Sequence, residues 1–499
     1  MPDPDDGAAT RAYREPDATA PGDIMNPVLP AAVAAAIGLA QAPATGATLE
    51  IHTTASGSDH RLALTASAPF VHGQQPPEGD ISVFVDPGKT FQMLLGIGGA
   101  ITDASAEVFA RLSPKEQERL LRAYYDPKDG IGYTLARTTI HSSDFSSASY
   151  TYVAEGDAKL DTFSVAHDRE FRIPLIRRAI AAAGGRLTLF ASPWSAPAFM
   201  KSNASMLQGG TLKPEFADAW AAYFTRFIRA YEQEGIPVWG ITVQNEPMAR
   251  QRWESMLFSA EDERDFLKNH LGPAMARAGL GERKIIVWDH NRDLMTQRAH
   301  VIFDDPDASR YAWGMGFHWY ETWAGGAPMF ANVGVVHQAY PGKHLLLTEA
   351  TVEGFDPARL QSFANAERYG SALINDFNNG AEGWTDWNIL LDEKGGPNHV
   401  GNFCFAPVHA DTRTGKLTFT PSFWYLGHFS KFIRPGAHRV SAASSRSGLQ
   451  TTAFTNPDGS VATVVMNATD EPMDYRFFLG KDEASVAIPA HAIQTLVVR

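Results

Sequence analysis

From Leu94 onward the chain alternates short apolar runs with longer amphipathic segments, the signature of repeated βα units. Eight runs read as strands: Leu95–Ala100, Tyr133–Thr138, Leu187–Ser192, Val238–Gln244, Ile285–Asp289, Met315–Trp319, Leu345–Glu349 and Gly383–Asn388. Each is apolar and ends in polar or aromatic residues. Eight parallel strands with intervening helices predict a closed (β/α)8 TIM barrel, an α/β fold. Two helices carry clear local signals. Ser113-Pro114-Lys115-Glu116 combines an N-cap serine, a proline at the first helical position and a capping-box glutamate, predicting a helix to about Tyr125. Between Lys213 and Glu234, Phe216, Trp220, Tyr223, Phe224, Phe227, Ile228 and Tyr231 recur at three- and four-residue spacings and make one broad apolar face, as an outer barrel helix needs.

After about Lys431 the period changes. Short alternating runs (Thr451–Phe454, Val461–Met466, Ile493–Val498) are separated by turn signals such as Asn456-Pro457-Asp458-Gly459. Leu49 to Phe91 alternates in the same way, so an accessory all-β sandwich domain built from both chain ends is expected beside the barrel. The predicted organisation is 1–44, a disordered or signal-like segment; 45–92, N-terminal sandwich strands; 93–430, the catalytic barrel; and 431–499, the rest of the sandwich.

Composition narrows the function. The 499 residues are 44% hydrophobic and 20% charged, a globular profile. The net charge of −13, with no basic tract, argues against nucleic acid as a partner. Cys404 is the single cysteine, which removes intramolecular disulfides and cysteine-cluster metal sites. The first 23 residues hold six acids against two arginines, and no charged residue occurs between Asp23 and Glu50. The Ala-, Val- and Leu-rich stretch Val28 to Ala40, ending in Ala40-Gln41-Ala42, has the look of a signal peptide with its cleavage site, more so if translation starts at Met25. The expected location is secreted or periplasmic.

Reactive groups in such a barrel lie at the carboxyl ends of strands. Glu246, in Val243-Gln244-Asn245-Glu246-Pro247, follows the fourth strand, and Glu349, in Leu345-Leu346-Leu347-Thr348-Glu349-Ala350, ends the seventh. Paired carboxylates serve glycoside hydrolysis, one protonating the leaving oxygen while the other attacks the anomeric carbon or activates water. His318 and Tyr320, flanking Trp319 at the end of strand six, alternate to one face. Asp289, His290 and Asp293 follow strand five and read as a solvated loop cluster, not a metal site. No cofactor is implied: Gly96-Ile97-Gly98-Gly99 lacks the spacing of a phosphate cradle.

Five further motifs occur in order: Gly98-Gly99-Ala100-Ile101-Thr102-Asp103-Ala104-Ser105, Ala191-Ser192-Pro193-Trp194-Ser195-Ala196-Pro197, His318-Trp319-Tyr320, Gly383-Trp384-Thr385-Asp386-Trp387-Asn388 and Gly427-His428-Phe429-Ser430-Lys431-Phe432-Ile433. Together with the Asn-Glu-Pro and Thr-Glu strand ends, they resemble glycoside hydrolase family 30 from about Leu62 to Arg499. The resemblance implies a retaining exo-β-glucosidase, with Glu246 as acid/base and Glu349 as nucleophile. It further implies Asn245 on the sugar 2-hydroxyl, Arg137 beside the nucleophile, and Asp144 as a hydroxyl acceptor with Phe145 next to it. Trp194, Trp387 and Asn402 would complete the glucose pocket, and His318 and Tyr320 would flank the nucleophile. Arg137 is expected to keep Glu349 ionised, while Glu246 needs a raised pKa. The loop Met248 to Phe258, with Trp253 as its main aromatic, would frame the aglycone entrance. The implied partner is a β-glucoside, glucosylceramide foremost, with transient contact with a lipid surface left open. β-Xylosidase, β-fucosidase and β-1,6-glucanase activities within the family, and a non-catalytic carbohydrate-binding relative, stand as alternatives.

Overall fold

The computed structural model describes Gly46 and residues 48–499, so the signal-like segment lies outside the described residues. In chain order the first strands are β1 (Thr48–Ala55), β2 (Ala63–Pro69), β3 (Val71–His72) and β4 (Ser82–Met93). The barrel strands follow: β5 (Gly96–Ala100), β6 (Leu135–Ile140), β7 (Thr188–Pro193), β8 (Gly240–Thr242), β9 (Lys284–Asn291), β10 (Ala312–His318), β11 (His344–Glu349) and β12 (Gly383–Asn388). They are hydrogen-bonded in parallel and in sequence order, and β12 closes onto β5. All eight predicted strands are present. The fourth is shorter than its apolar run because the chain turns early toward Glu246, and the fifth runs longer, to Asn291.

Outer helices cover the barrel as their patterns require. Ser113 Oγ accepts from the Glu116 N–H at the start of the helix Pro114–Tyr125. In Ala217–Gln233, Trp220, Tyr223, Phe224, Phe227, Ile228 and Tyr231 are all fully buried. Phe216 falls on a preceding 3-10 turn, where it packs edge-on against Phe199.

Beyond β12, a small sheet of β13 (Leu391–Asp392), β14 (Val408–Ala410) and β15 (Leu417–Phe419) sits in the last βα connection. The C-terminal strands are β16 (His438–Ser444), β17 (Leu449–Thr455), β18 (Val461–Asn467), β19 (Met473–Leu479), β20 (Asp482–Ile488) and β21 (Ala492–Val498). Strands from the two ends interleave in one ten-stranded sheet: β1 lies between β2 and β21, and β4 between β16 and β19. Its inner face forms a core of its own, with Leu49, Ile51, Val83, Val85, Val465, Phe477 and Leu496. The opposite faces of β18 and β21 present Val464, Met466 and Ile493 to the barrel's core, which is why both strands are apolar at nearly every position. Among the described residues no helix is long and apolar enough to cross a membrane.

Candidate active site

A cavity of about 260 Å³ opens at the carboxyl ends of the barrel strands. Of the residues singled out in the sequence, Asp144, Phe145, Trp194, Asn245, Glu246, Tyr320, Glu349, Trp387 and Asn402 line it. Arg137 and His318 lie fully buried beneath, bonded to residues that do.

Arg137, on β6, is the hub. Its Nη1 donates to Glu349 Oε2 at 2.5 Å, its Nη2 to Asn245 Oδ1 and Asp289 Oδ2 at 2.8 Å each, and its Nε to Ser192 Oγ at 3.0 Å. The guanidinium fork thus sets the relative positions of β6, β7, β9 and β11. Tyr320 Oη donates to the other oxygen of Glu349, Oε1, at 3.1 Å, so both oxygens of this carboxylate are held. Among the described residues the Glu246 carboxylate has only His318 Nδ1, at 3.4 Å. One carboxylate oxygen each from Glu246 and Glu349 and a His318 ring nitrogen lie within 4.8 Å of one another.

Glu246 itself sits at φ 47°, in left-handed backbone, and its N–H donates to the Asp289 carbonyl at 2.9 Å. Trp288 and Asp289 have positive φ as well. Such conformations cost about 1–3 kcal/mol each and persist where the surroundings over-determine them. Here the tight Glu246–Asp289 contact aims the glutamate into the cavity.

Asp289 corrects the expectation of a solvated loop cluster. It ends no loop but lies inside β9, fully buried. Its Oδ2 accepts from Arg137 and from Thr242 Oγ1 at 2.7 Å, and its Oδ1 from His318 Nε2 at 2.9 Å and Thr348 Oγ1 at 2.5 Å. Burial alone would raise its carboxyl, yet Arg137 and His318 hold it well below the usual range. The signal that found Glu349, an acid at a strand's carboxyl end, was present for Asp289 too. His290 and Asp293 are both half-buried and line the cavity.

The proton distribution also differs from expectation. Both ring nitrogens of His318 face carboxylates, which only accept, so the ring is an imidazolium. Against the cost of burial, Glu349 and Asp289 push it up to about 9. Burial raises Glu349, opposed by the charges of His318 and Arg137. Burial would raise the half-buried Glu246 as well, but its contact with His318 draws it down rather than up. In the unliganded site the labile proton therefore rests on His318, one contact away from Glu246.

Trp194 and Trp387 stack at 5.1 Å between ring centroids and 21° between planes, with the Arg137 guanidinium 4.9 Å from the first ring and 5.4 Å from the second. Phe145 meets Trp387 edge-on, and Trp253 packs on this aromatic cluster from its loop. Asp144 is buried, and its Oδ2 accepts from Asn402 Nδ2 at 3.0 Å and Asn398 Nδ2 at 3.2 Å. Burial raises its carboxyl to about 7. Asn398, Trp323, Gln251 and Glu353 were not legible beforehand, since polar or aromatic residues in long loops carry no periodic signal.

Among the described residues a second trio, Asp103, His167 and Asp168, also converges. Its centre is taken by Arg172, which bridges Asp103 and Asp168.

The profile of the glycosyl hydrolase family 30 TIM-barrel domain matches residues 94–433, and that of the family 30 β-sandwich domain matches residues 436–496. The chain is a member of glycosyl hydrolase family 30. It is 37% identical over 401 residues to the lysosomal acid glucosylceramidase of Mus musculus, covering 78% of this chain and 77% of the relative. It is 28% identical over 444 residues to an endo-1,6-β-D-glucanase of Neurospora crassa, covering 84% and 89%. Among solved structures, SrfJ from Salmonella typhimurium superposes with a TM-score of 0.85 at 33% identity, covering 90% of this chain and 99% of that one. This family 30 chain is accordingly a retaining glycoside hydrolase.

Proposed function

We propose that this family 30 enzyme is an exo-acting β-glucosidase whose leading natural substrate is glucosylceramide, with Glu349 as nucleophile and Glu246 as acid/base. The observation that carries the double displacement is that one oxygen of each carboxylate and a His318 ring nitrogen lie within 4.8 Å of one another. Carboxyl groups about 5–5.5 Å apart leave room for direct attack, and roughly 6.5–9.5 Å is needed to seat a water between them.

As the glycosidic oxygen settles against Glu246, His318 Nδ1 passes its proton to that carboxylate, which delivers it to the leaving aglycone. A Glu349 oxygen forms the ester bond to the anomeric carbon as the C–O bond to the aglycone breaks. Glu246, now ionised, takes a proton from water, whose oxygen attacks the same carbon and returns Glu349 as carboxylate. Asn245 has its Oδ1 engaged by Arg137, which fixes the amide and leaves Nδ2 to donate to the 2-hydroxyl as positive charge develops on the ring. Asp144 accepts from the sugar's hydroxyls, and the paired indoles of Trp194 and Trp387 offer an apolar face.

The size of the cavity, just below the range of about 300–1,000 Å³ usual for ligand pockets, favours one sugar over a long glucan. An apolar aglycone is supported by exposed apolar side chains on the loops that frame the cavity, of which Trp323 lines it and Met248, Leu294 and Phe403 adjoin lining residues in sequence. Met248, Leu294, Trp323, Met329 and Phe403 are 40–70% exposed and come from loops after β8, β9, β10 and β12. The curated name of the mouse relative points the same way. Transient contact of these apolar side chains with a lipid surface, and export directed by residues 25–42, belong to the same reading.

A panel of glucosylceramide, aryl β-glucoside, aryl β-xyloside, aryl β-fucoside and β-1,6-glucan tests it. Highest kcat/KM on glucosylceramide in detergent is expected. Preference for β-1,6-glucan would replace the exo-glucosidase reading, and absence of turnover on all five would favour a carbohydrate-binding protein.

A further inference from the structure

Two sides of the pocket are tied together by a residue pair that the reaction does not use. Glu254 belongs to the loop after β8 that also brings Gln251 and Trp253 to the cavity, and it is fully buried. Among the described residues neither of its carboxylate oxygens has an aligned hydrogen-bond partner, and against the cost of burial His399 and the Ser149 hydroxyl draw its carboxyl down. The group facing it is His399, in the loop after β12, whose Nε2 lies 3.4 Å from Glu254 Oε2. The other ring nitrogen, Nδ1, lies 3.0 Å from the Ser146 carbonyl oxygen and 3.2 Å from that of Asp144. The His399 backbone N–H points at the same two carbonyls. On either side of it in sequence, Asn398 and Asn402 donate to Asp144 Oδ2. Neither Glu254 nor His399 lines the cavity.

Carbonyls and carboxylates only accept, and a neutral imidazole offers a single N–H. His399 serves both neighbours only as the imidazolium. A buried carboxylate stripped of its cation is strongly disfavoured, so loss of the proton from His399 sets the two loops against each other. Three other titratable groups have charges that reach Glu254. Lys201 donates its Nζ to the Met206 and Ser255 carbonyls and is lowered by burial to about 7. His141 is lowered by burial to about 4 and is neutral. Asp144 carries charge of the same sign as Glu254 when ionised. His399 is the charged group that contacts Glu254 and answers its charge.

We infer that the Glu254–His399 ion pair is a positioning clasp for sugar binding: it fastens the Trp253 loop to the loop carrying Asn398 and Asn402, and so holds Asp144 in place while His399 is protonated. The inference rests on the reading of Asp144 as a hydroxyl acceptor. Glycone affinity then weakens as His399 loses its proton, independently of the chemistry run by Glu246 and Glu349.

The test has one arm that needs no substrate. In the full chain, imidazole 15N–1H correlation spectra, assigned with His399→Gln, are expected to show both His399 nitrogens protonated at neutral pH. In Glu254→Gln its titration should fall by about one pH unit or more. A His399 that titrates at the ordinary histidine value whatever occupies position 254 overturns the clasp. In the second arm, KM for an aryl β-glucoside at pH 6 should rise about 3- to 10-fold in Glu254→Gln with kcat within about twofold. The parent's own rise in KM across the His399 titration should disappear in that variant. An unchanged KM, or a loss confined to kcat, overturns it. His399→Gln supplies the same KM comparison if Glu254→Gln does not fold, since one amide side chain cannot donate in both directions. A parent that hydrolyses no glucoside would refute the glucosidase reading, and the ring titration would still decide the clasp.

Discussion

His318 and Asp289 meet at 2.9 Å, Nε2 to Oδ1, in a fully buried layer directly beneath Glu246 and Glu349. This contact makes the histidine a cation and gives the site a stored proton. It also joins the histidine to Arg137, because Asp289 Oδ2 accepts from the guanidinium.

Asp289→Asn should therefore disturb both partners. Its amide nitrogen would face donors, either Arg137 and Thr242 or His318 and Thr348, so one buried charge is left unanswered. The expected cost is about 3–5 kcal/mol in chemical denaturation. In pH–rate profiles the alkaline limb should move from near 9 toward the ordinary histidine value, because His318 loses an anion that holds its proton.

The two glutamates should separate cleanly by variant. Glu349→Gln is expected to form no covalent glycosyl-enzyme by intact-protein mass spectrometry. Glu246→Ala should still form it from a substrate with a good leaving group and then stall, with turnover down by about 10²–10⁴-fold. Added azide should rescue Glu246→Ala and yield the β-glucosyl azide. The α-azide would mean that the roles are exchanged.

The buried histidines should make stability depend on pH on both sides of neutrality. His141, His290 and His409 are lowered by burial to about 4, so the stability they contribute is present above their unfolded value and is lost as pH falls from about 6.5 to 4. His318 is raised to about 9, so its contribution is present below about 6.5 and lost as pH rises to 9. Lys201, lowered by burial to about 7, contributes stability that grows over the same range, so the His318 share is read by comparison: from pH 7 to 9 the Tm of His318→Gln in scanning calorimetry should climb more than the parent's, and equal slopes would contradict the assignment.

Asp144 trades stability for binding. Its carboxyl is raised to about 7 by burial, so it costs stability progressively as pH rises from about 4 to 7 and by a constant amount above that. Asp144→Asn should leave Tm near the parent's at pH 4 and above it at pH 8. KM for an aryl β-glucoside should rise by roughly 10-fold or more, since a charged hydrogen-bond acceptor is replaced by a neutral one. Equal Tm at both pH values would show that the buried carboxylate is compensated in some other way.

The barrel and the paired carboxylates at its mouth were legible because they are written in local pattern. An apolar run fully enclosed by helices, ending in an acid, marks a strand and its catalytic end together, as at Leu345–Glu349. The aromatic stripe from Trp220 to Tyr231 and the Ser113 cap are likewise decided by neighbours within four residues. Charge state and partner choice are not local. Asp289 and Glu349 carry the same signal, and only the closing of the barrel brings Arg137 and His318 onto Asp289. That closure alone inverted the expected tuning of Glu246, because a buried group's proton affinity is set by the charges packed around it. His399 and Glu254, 145 positions apart, have no sequence mark at all. The chain's order of apolar and polar residues determined the scaffold and the acids at its rim. The tertiary packing decided which of those acids holds a proton, which holds an arginine and which loops are fastened, since electrostatic energies depend on distances that exist only in the folded chain.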